Sequence, residues 1–273
     1  MKFSEIARIS FTNLKSNRMR TLLTIVGISI GITSIVFLVS LGYGLQELSI
    51  KKIASIEAIN TLDITTGKSS DQKVDDDLIN QLKTIPEISK ISPLLALGAK
   101  MDYEGRQTDS VGNFIDDDYA TLEGINPVLG AFFSNSEKDI VVSTALLKAI
   151  NLNINEAVNK QITAQIITVN SGTKERKSVI REYRIVGVVQ DDSTSFSYIP
   201  IISIKGDITW SPIYNSLKAK VIDKEKIQQM KEKISSMGYS VSTIADTISQ
   251  VDQIFRVIQI VLAFFGLVAL MVA

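Results

Sequence analysis

The chain has 273 residues, and its 29 lysines and arginines are balanced by 29 aspartates and glutamates, so no net charge points toward nucleic acid. Histidine and cysteine are both absent, which removes histidine general bases, thiolate nucleophiles, disulfides and the usual zinc ligands together. The length suits one large or two small domains, and the apolar residues concentrate at the two ends.

Residues 1–18 place Phe3, Ile6, Ala7, Phe11 and Leu14 on one side of a helix and Arg8, Thr12 and Lys15 on another. That spacing predicts an amphipathic helix lying on the inner leaflet of a membrane. Between Thr21 and Leu41 no residue is charged. At 1.5 Å per residue such a run covers about 30 Å, the thickness of a bilayer core, so residues 19–43 are expected to span it. No A-x-A-like cleavage site follows, which argues against a removed signal peptide. Lys2, Arg8, Lys15, Arg18 and Arg20 precede the run against Glu5 alone, placing the N-terminus in the cytoplasm and the central region outside.

Inside the apolar run stands GISIG, with Gly27 and Gly31 one turn apart and Ser34 about a turn further on. Small residues at this spacing let helix backbones approach closely in lipid, where there is little hydrophobic drive for association. The plainer account is that glycine is commoner in transmembrane helices than in soluble ones. LQELSIKKIASIEAI (45–59) keeps a helical composition without a breaker, and residues 44–60 read as a stalk helix leaving the membrane.

The region 61–245 reads as an extracytoplasmic α+β domain. TLDIT (61–65) has strand character, VDDDLINQLKTI (74–85) is a helix with aspartates at its positive end, and Pro86 stops it. ISKISPLLALGAKMDY and RQTDSVGNFI follow as strands around Glu104-Gly105. Near the other end, SLKAKVID (216–223), KEKIQQMKEKISSM and YSVSTI read as strand, helix and strand, with Gly238 at the helix C-cap position. Two such β-α-β pieces can share one sheet in a ferredoxin-like, split β-α-β subdomain of porter type. Residues 116–215 then form a mostly-β inserted lobe, with strand signals in KDIVVS, KQITAQIITV, KSVIREYRIVGVVQ and SYIPI. Ser143 is placed to cap a short helix, TALLKAI.

Residues 246–273 combine a stalk with a second span. Ile244, Ile248, Val251, Phe255, Ile258 and Leu262 recur at steps of 4, 3, 4, 3 and 4, a heptad seam that suggests one continuous helix entering the membrane. Arg256 and Gln259 fall where long side chains can snorkel to the interface. The apolar run continues to the last residue, so the chain is expected to be a piece of something longer with an incomplete C-terminus.

Several motifs fail on inspection. TGKSS holds the G-K-S of a phosphate loop, but the glycine required five places earlier is Leu62. A calcium loop started at Asp71 would have Asp76 where glycine is needed and Leu82 where glutamate is needed. The aspartate triplets at 75–77 and 116–118 are therefore read as helix caps and solvated turns. LGYGL (41–45) ends a full span, with no re-entrant half-helix to make it an ion filter. No catalytic or metal-binding constellation emerges, and no enzyme is indicated.

The opening ARISFTNLKSNRMRTLLTIVGISIGITSIVFLVSLGYGLQ resembles the first helix of MacB/FtsX-type ABC transporter permeases. Those begin with a short basic amphipathic helix and then a K-x-R-T-x-L-T-x-x-G-I-x-I-G run. Arg18 stands where the lysine is common, while Arg20, Thr21, Leu23, Thr24, Gly27, Ile28, Ile30 and Gly31 match. LKTIPEISKISP, LGAFFS, YRIVGVVQD and YIPI are similar to short pieces of the family's periplasmic core domain. The resemblance implies a bacterial plasma (inner) membrane protein covering the first two of four spans. It further implies a separate ABC ATPase subunit that binds the ATP, a second permease copy in a homodimer or with a related chain, and in some systems a membrane-fusion adaptor. No cofactor of its own and no nucleic acid are expected, and the mechanism implied is mechanotransmission. Two spans bracketing an extracytoplasmic domain also describe a membrane sensor, or an anchored structural protein, and sequence beyond Ala273 would separate these.

Overall fold

The computed structural model describes residues 18–53, 60–67, 72–134, 136–169, 176–206 and 212–272. The amphipathic helix expected over 1–17 and the end of the stalk at 54–59 lie outside them, as do Lys68 to Asp71 of the rejected motifs. The chain divides into two compact units, Met1–Ile53 with Asp246–Ala273, and Ala54–Ala245.

In chain order, α1 (Arg18–Ile53) is followed by β1 (Thr61–Thr66), α2 (Asp76–Lys83), β2 (Ile88–Tyr103) and β3 (Arg106–Ile115). Next come α3 (Tyr119–Glu123), β4 (Leu129–Gly130), β5 (Asp139–Ser143), α4 (Thr144–Ala149), α5 (Ile154–Ala157), β6 (Gln161–Val169), β7 (Arg176–Val189) and β8 (Phe196–Pro200). A 3₁₀ turn at Ile201–Ile204 then leads to β9 (Ser216–Val221), α6 (Ile227–Ser236), β10 (Tyr239–Thr243) and α7 (Ile244–Val272).

Local chemistry sets many of these boundaries. Asp75 caps α2 by accepting the Leu78 N–H at 3.2 Å, and Leu78 and Leu82 form its buried side. Between β2 and β3, Glu104 (φ 51°) and Gly105 (φ 82°) make a two-residue turn, and the Asp102 carboxylate accepts the Gly105 N–H at 3.1 Å. The Ser143 hydroxyl accepts the Leu146 N–H at 3.2 Å and so starts α4.

All strands of the second unit join one 10-stranded sheet, which works as two halves. In the first half, β10, β1, β9 and β2 lie side by side, every neighbour antiparallel. Leu62 pairs with Ala219, Ile64 with Leu217 and Ile91 with Ala219, which puts these side chains on one face. There they share the core with Leu78 and Leu82 of α2 and with Met230 and Ile234 of α6.

The second half closes on itself. β2 pairs β3, β3 pairs β8, β8 pairs β5, β5 pairs β7, β7 pairs β6, and β6 returns to β2. Alternate residues fill the interior of this ring, among them Met101, Ala164, Ile166, Tyr183 and Ile185. Residues 116–215 therefore do not stand alone as an insertion, because β2 and β3 supply two staves of the barrel. The 16 residues of β2 make this possible: Ile88 to Leu94 pair β9, and Ala99 to Asp102 pair β6 along the same edge. In the gap between, the Asn215 side chain accepts the Ala96 N–H at 2.6 Å, and the Asn215 N–H donates to the Leu94 carbonyl at 2.8 Å.

In the first unit, α1 runs for 36 residues and α7 for 29. They meet where Gly42 packs on Gln259, whose side chain would lie 3.7 Å from a methyl group at position 42. Among the described residues no helix is long and apolar enough to cross a membrane. The spans expected over 19–43 and 246–273 therefore rest on the composition of the sequence.

β7 is bulged at Val186, since Ile140 pairs Ile185 while Val141 pairs Gly187. The Val186 carbonyl turns onto β4, where it accepts the Ala131 N–H at 3.0 Å. A Cβ at Gly130 (φ 74°) would stand 2.1 Å from that oxygen. Gly130→Ala should therefore lower stability by about 1–3 kcal/mol in urea unfolding. Gly98→Ala, with nothing within 4 Å of the new methyl group, should change stability by no more than about 0.5 kcal/mol.

Candidate functional site

The residues singled out by the sequence all lie on the two long helices. Gly27 sits on α1, and among the described residues nothing lies within 4 Å of a Cβ placed there. Gly31 and Ser34 are on the same helix, with their side-chain positions outside the described set. On α7, Ile244, Ile248, Val251 and Phe255 are half-buried, whereas Ile258 is 43% exposed. Gln259, not Ile258, takes the position facing α1, because the glycine at 42 leaves room for a longer side chain. The side chain of Leu262 lies outside the described set.

A second constellation, which the sequence reading did not assemble, lies where the two halves of the sheet meet. The core face of β1 and β9 is apolar, but the opposite face carries Asp63 and Lys218, directly paired across the strands. α3 lies over this face. The Lys218 ammonium is 3.2 Å from Asp63 Oδ2, contacts Glu123 Oε2, and stands 6.0 Å from the Tyr119 ring centre. Its side chain is only 10% exposed. Burial opposes the charge on Lys218, but the Glu123 and Asp63 carboxylates outweigh it and hold its pKa above the ordinary lysine value.

The segment leading into α3 is tied to β2 in the same polar manner. The Ser92 hydroxyl donates to Asp116 Oδ1, which also accepts the Tyr119 N–H at 3.1 Å. Lys90 pairs with Asp118 at 2.5 Å. Burial raises the Asp116 pKa, and the hydrogen bonds from Ser92 and Tyr119 only partly offset it.

The aspartate triplets thus behave differently from each other. Asp75 is a helix cap, as its position suggested. Asp118 occupies the cap position of α3 but makes no capping bond, and Asp116 is drawn under the chain by Ser92 rather than solvated. The sequence sign of this was the polar pair Lys90 and Ser92 at alternate positions of β2.

Beside Asp116 a cleft of about 730 Å³ opens between α2, β2 and the 3₁₀ turn after β8. Its walls include Ile79, Pro93, Leu95, Ile201 and Ile202, and Lys83 and Lys205 also line it. Asp76 lines it as well, with its carboxylate accepting the Tyr214 hydroxyl at 2.8 Å. Among the described residues no group of three or more acidic side chains is arranged to hold a metal ion.

Two outcomes follow for this junction. Lys218→Met leaves Asp63 and Glu123 without their shared cation; because both carboxylates are partly exposed, the loss in denaturant unfolding should be about 1–3 kcal/mol. Asp116→Asn keeps the acceptor for Ser92 and Tyr119 and removes the buried charge. A carboxylate whose folded pKa is raised weakens the fold as pH rises from the unfolded value toward the folded one. The stability of Asp116→Asn relative to wild type should therefore increase as pH climbs from about 4, then level off once Asp116 is ionised.

Known proteins place this architecture. The macrolide export ATP-binding/permease protein MacB of Shewanella sp. (strain ANA-3) is 23% identical over 236 residues, covering 82% of this chain and 33% of that protein. The protein of the same name from Rhodopseudomonas palustris (strain HaA2) is 26% identical over 243 residues, covering 81% of this chain and 35% of that protein. The chain thus spans about a third of the length of the curated relatives it matches. Among solved structures, the periplasmic region of MacB from Actinobacillus actinomycetemcomitans shares the fold, with a TM-score of 0.52 at 19% identity over 74% of this chain and 98% of that one. A family model described as the MacB-like periplasmic core domain matches residues 21–237, and the chain belongs to that family.

Proposed function

We propose that the chain is the permease subunit of an ABC transporter of the MacB/FtsX type. In this reading residues 19–43 and the end of α7 span the bacterial plasma membrane, with the N-terminus cytoplasmic and residues 61–245 outside. A separate ATPase subunit hydrolyses ATP on the cytoplasmic side. A second permease copy, identical or related, completes the membrane part, and a membrane-fusion adaptor is a further partner. The helices carry the movement to the outer domain by mechanotransmission, and the task is export or extrusion.

The observation that carries this reading is the extent of the family match. It begins at residue 21, inside α1, and runs through the outer domain to residue 237, so the uncharged run of α1 and the domain are matched as one unit. The relatives are named for both ATP binding and a permease, and this chain corresponds to about a third of them. Export is the activity in those names, and it is the activity we carry over. The paired β10-β1-β9-β2 strands with α2 and α6 act as the split β-α-β, porter-type part of the domain.

Gly27 gives the assembly claim a specific surface. Among the described residues nothing lies within 4 Å of a Cβ placed there, which supports a surface left for a neighbouring helix. Small residues at a helix surface favour close backbone contact in lipid. Gly27→Leu and Gly31→Leu should insert normally but lose association with a second permease. The protein co-expressed with its ATPase should co-purify with it in mild detergent. A wild-type protein that stays alone under those conditions counts against the permease reading, and leucine variants that assemble and work normally remove the packing claim.

A further inference from the structure

We propose that the cleft between α2 and the turn after β8 binds a short zwitterionic peptide, its basic group held by Asp116 and its carboxylate by Lys83 and Lys205. The cleft has about 730 Å³ of space and apolar walls from Ile79, Ile91, Pro93, Leu95, Ile201 and Ile202. Apolar walls with a few converging polar groups are the usual make-up of a ligand site. What the polar groups are decides the ligand.

Asp116 is the inner charge. Its two hydrogen-bond donors are neutral, the Ser92 hydroxyl and the Tyr119 N–H, both on Oδ1. Among the described residues it has no ion pair, since Lys90 pairs with Asp118 and Lys218 with Asp63 and Glu123. Asp116 is half-buried and both of these bonds fall on Oδ1, so the carboxylate has capacity for a cation from outside. Asp76, which accepts the Tyr214 hydroxyl, is a second carboxylate on the wall. Lys83 and Lys205 are exposed and form no ion pair among the described residues, which supplies the complementary pair of cations. The Asn80 side chain, which also lines the cleft, offers both a donor and an acceptor, as a peptide group requires. A purely cationic amphiphile would leave the lysines unmatched, and an anionic one would leave Asp116 unmatched. A peptide with a basic group, apolar side chains and a free carboxylate matches all of them.

The site belongs to residues 54–245 and does not depend on the permease reading; failure of binding with ATPase association intact would sink the site alone. The test is isothermal titration calorimetry on the full chain in mild detergent, with the tripeptide lysyl-leucyl-leucine as probe. Saturable binding is expected, weakened about thirtyfold by Asp116→Asn, since a buried charge pair loses one member. The double variant Lys83→Gln with Lys205→Gln, and separately a C-terminally amidated probe, should each weaken it about tenfold. Ile202→Trp, at a residue 40% exposed, should fill the cleft and abolish binding without lowering the melting temperature. The proposal is overturned if lysyl-leucyl-leucine gives no heat up to its solubility limit. It is also overturned if N-acetyl-leucyl-leucyl-leucine, which keeps the carboxylate but has no basic group, or the amidated probe binds equally well, or if either Asp116→Asn or Ile202→Trp binds as wild type does.

Discussion

The fold of residues 54–245 depends on one strand serving two sheets. β2 is three times the usual strand length, and its backbone groups are shared between β9 at one end and β6 at the other. Buried backbone N–H and carbonyl groups must be paired. At the changeover, where neither neighbouring strand reaches, the Asn215 side chain and backbone take that role. The helix-covered half-sheet and the closed barrel are consequently one hydrogen-bonded body, not two lobes joined by a flexible linker.

The same junction explains why the back of the half-sheet carries charge. An exposed sheet face would need only polar side chains; this one is covered by α3, a helix of 5 residues that buries Tyr119, Ala120 and Leu122. Ions and hydrogen bonds accompany that packing: Lys218 with Asp63 and Glu123, Lys90 with Asp118, Ser92 with Asp116. Such pairs are worth little where water reaches them and are costly to break where it does not. Lys218, largely enclosed, is the member whose loss is felt most.

Much of the local structure was legible because short-range chemistry announces it. The β2–β3 hairpin follows from strand-like runs on either side of Glu104-Gly105, and α2 from Asp75 at its start and Pro86 beyond its end. The two β-α-β stretches at the ends of the domain do share a sheet. The barrel closure was not legible, because the β2–β6 pairing joins segments some 60 residues apart and nothing in either strand names the other. β4, only 2 residues long, is set by the bulge at Val186 in a distant strand. Asp116 looked like a turn residue, since its burial depends on Ser92 across the β2–β3 turn. On α7 the place of Gln259 beside α1 depends on a glycine in the other helix, which the periodicity of α7 does not contain.

The strand order has a mechanical consequence of its own. β1 and β10 are antiparallel, with Leu62 opposite Thr243, so the start of β1 and the end of β10 lie at the same end of one strand pair. A shared pull on those two ends would load the β1–β9 ladder in shear, so that all its hydrogen bonds resist at once. A pull that spreads them would peel β10 from β1 starting at Leu62 and Thr243, one bond after another. The strand pair is thus stiff to a common axial pull and compliant to separation, an anisotropy that arises from strand order alone.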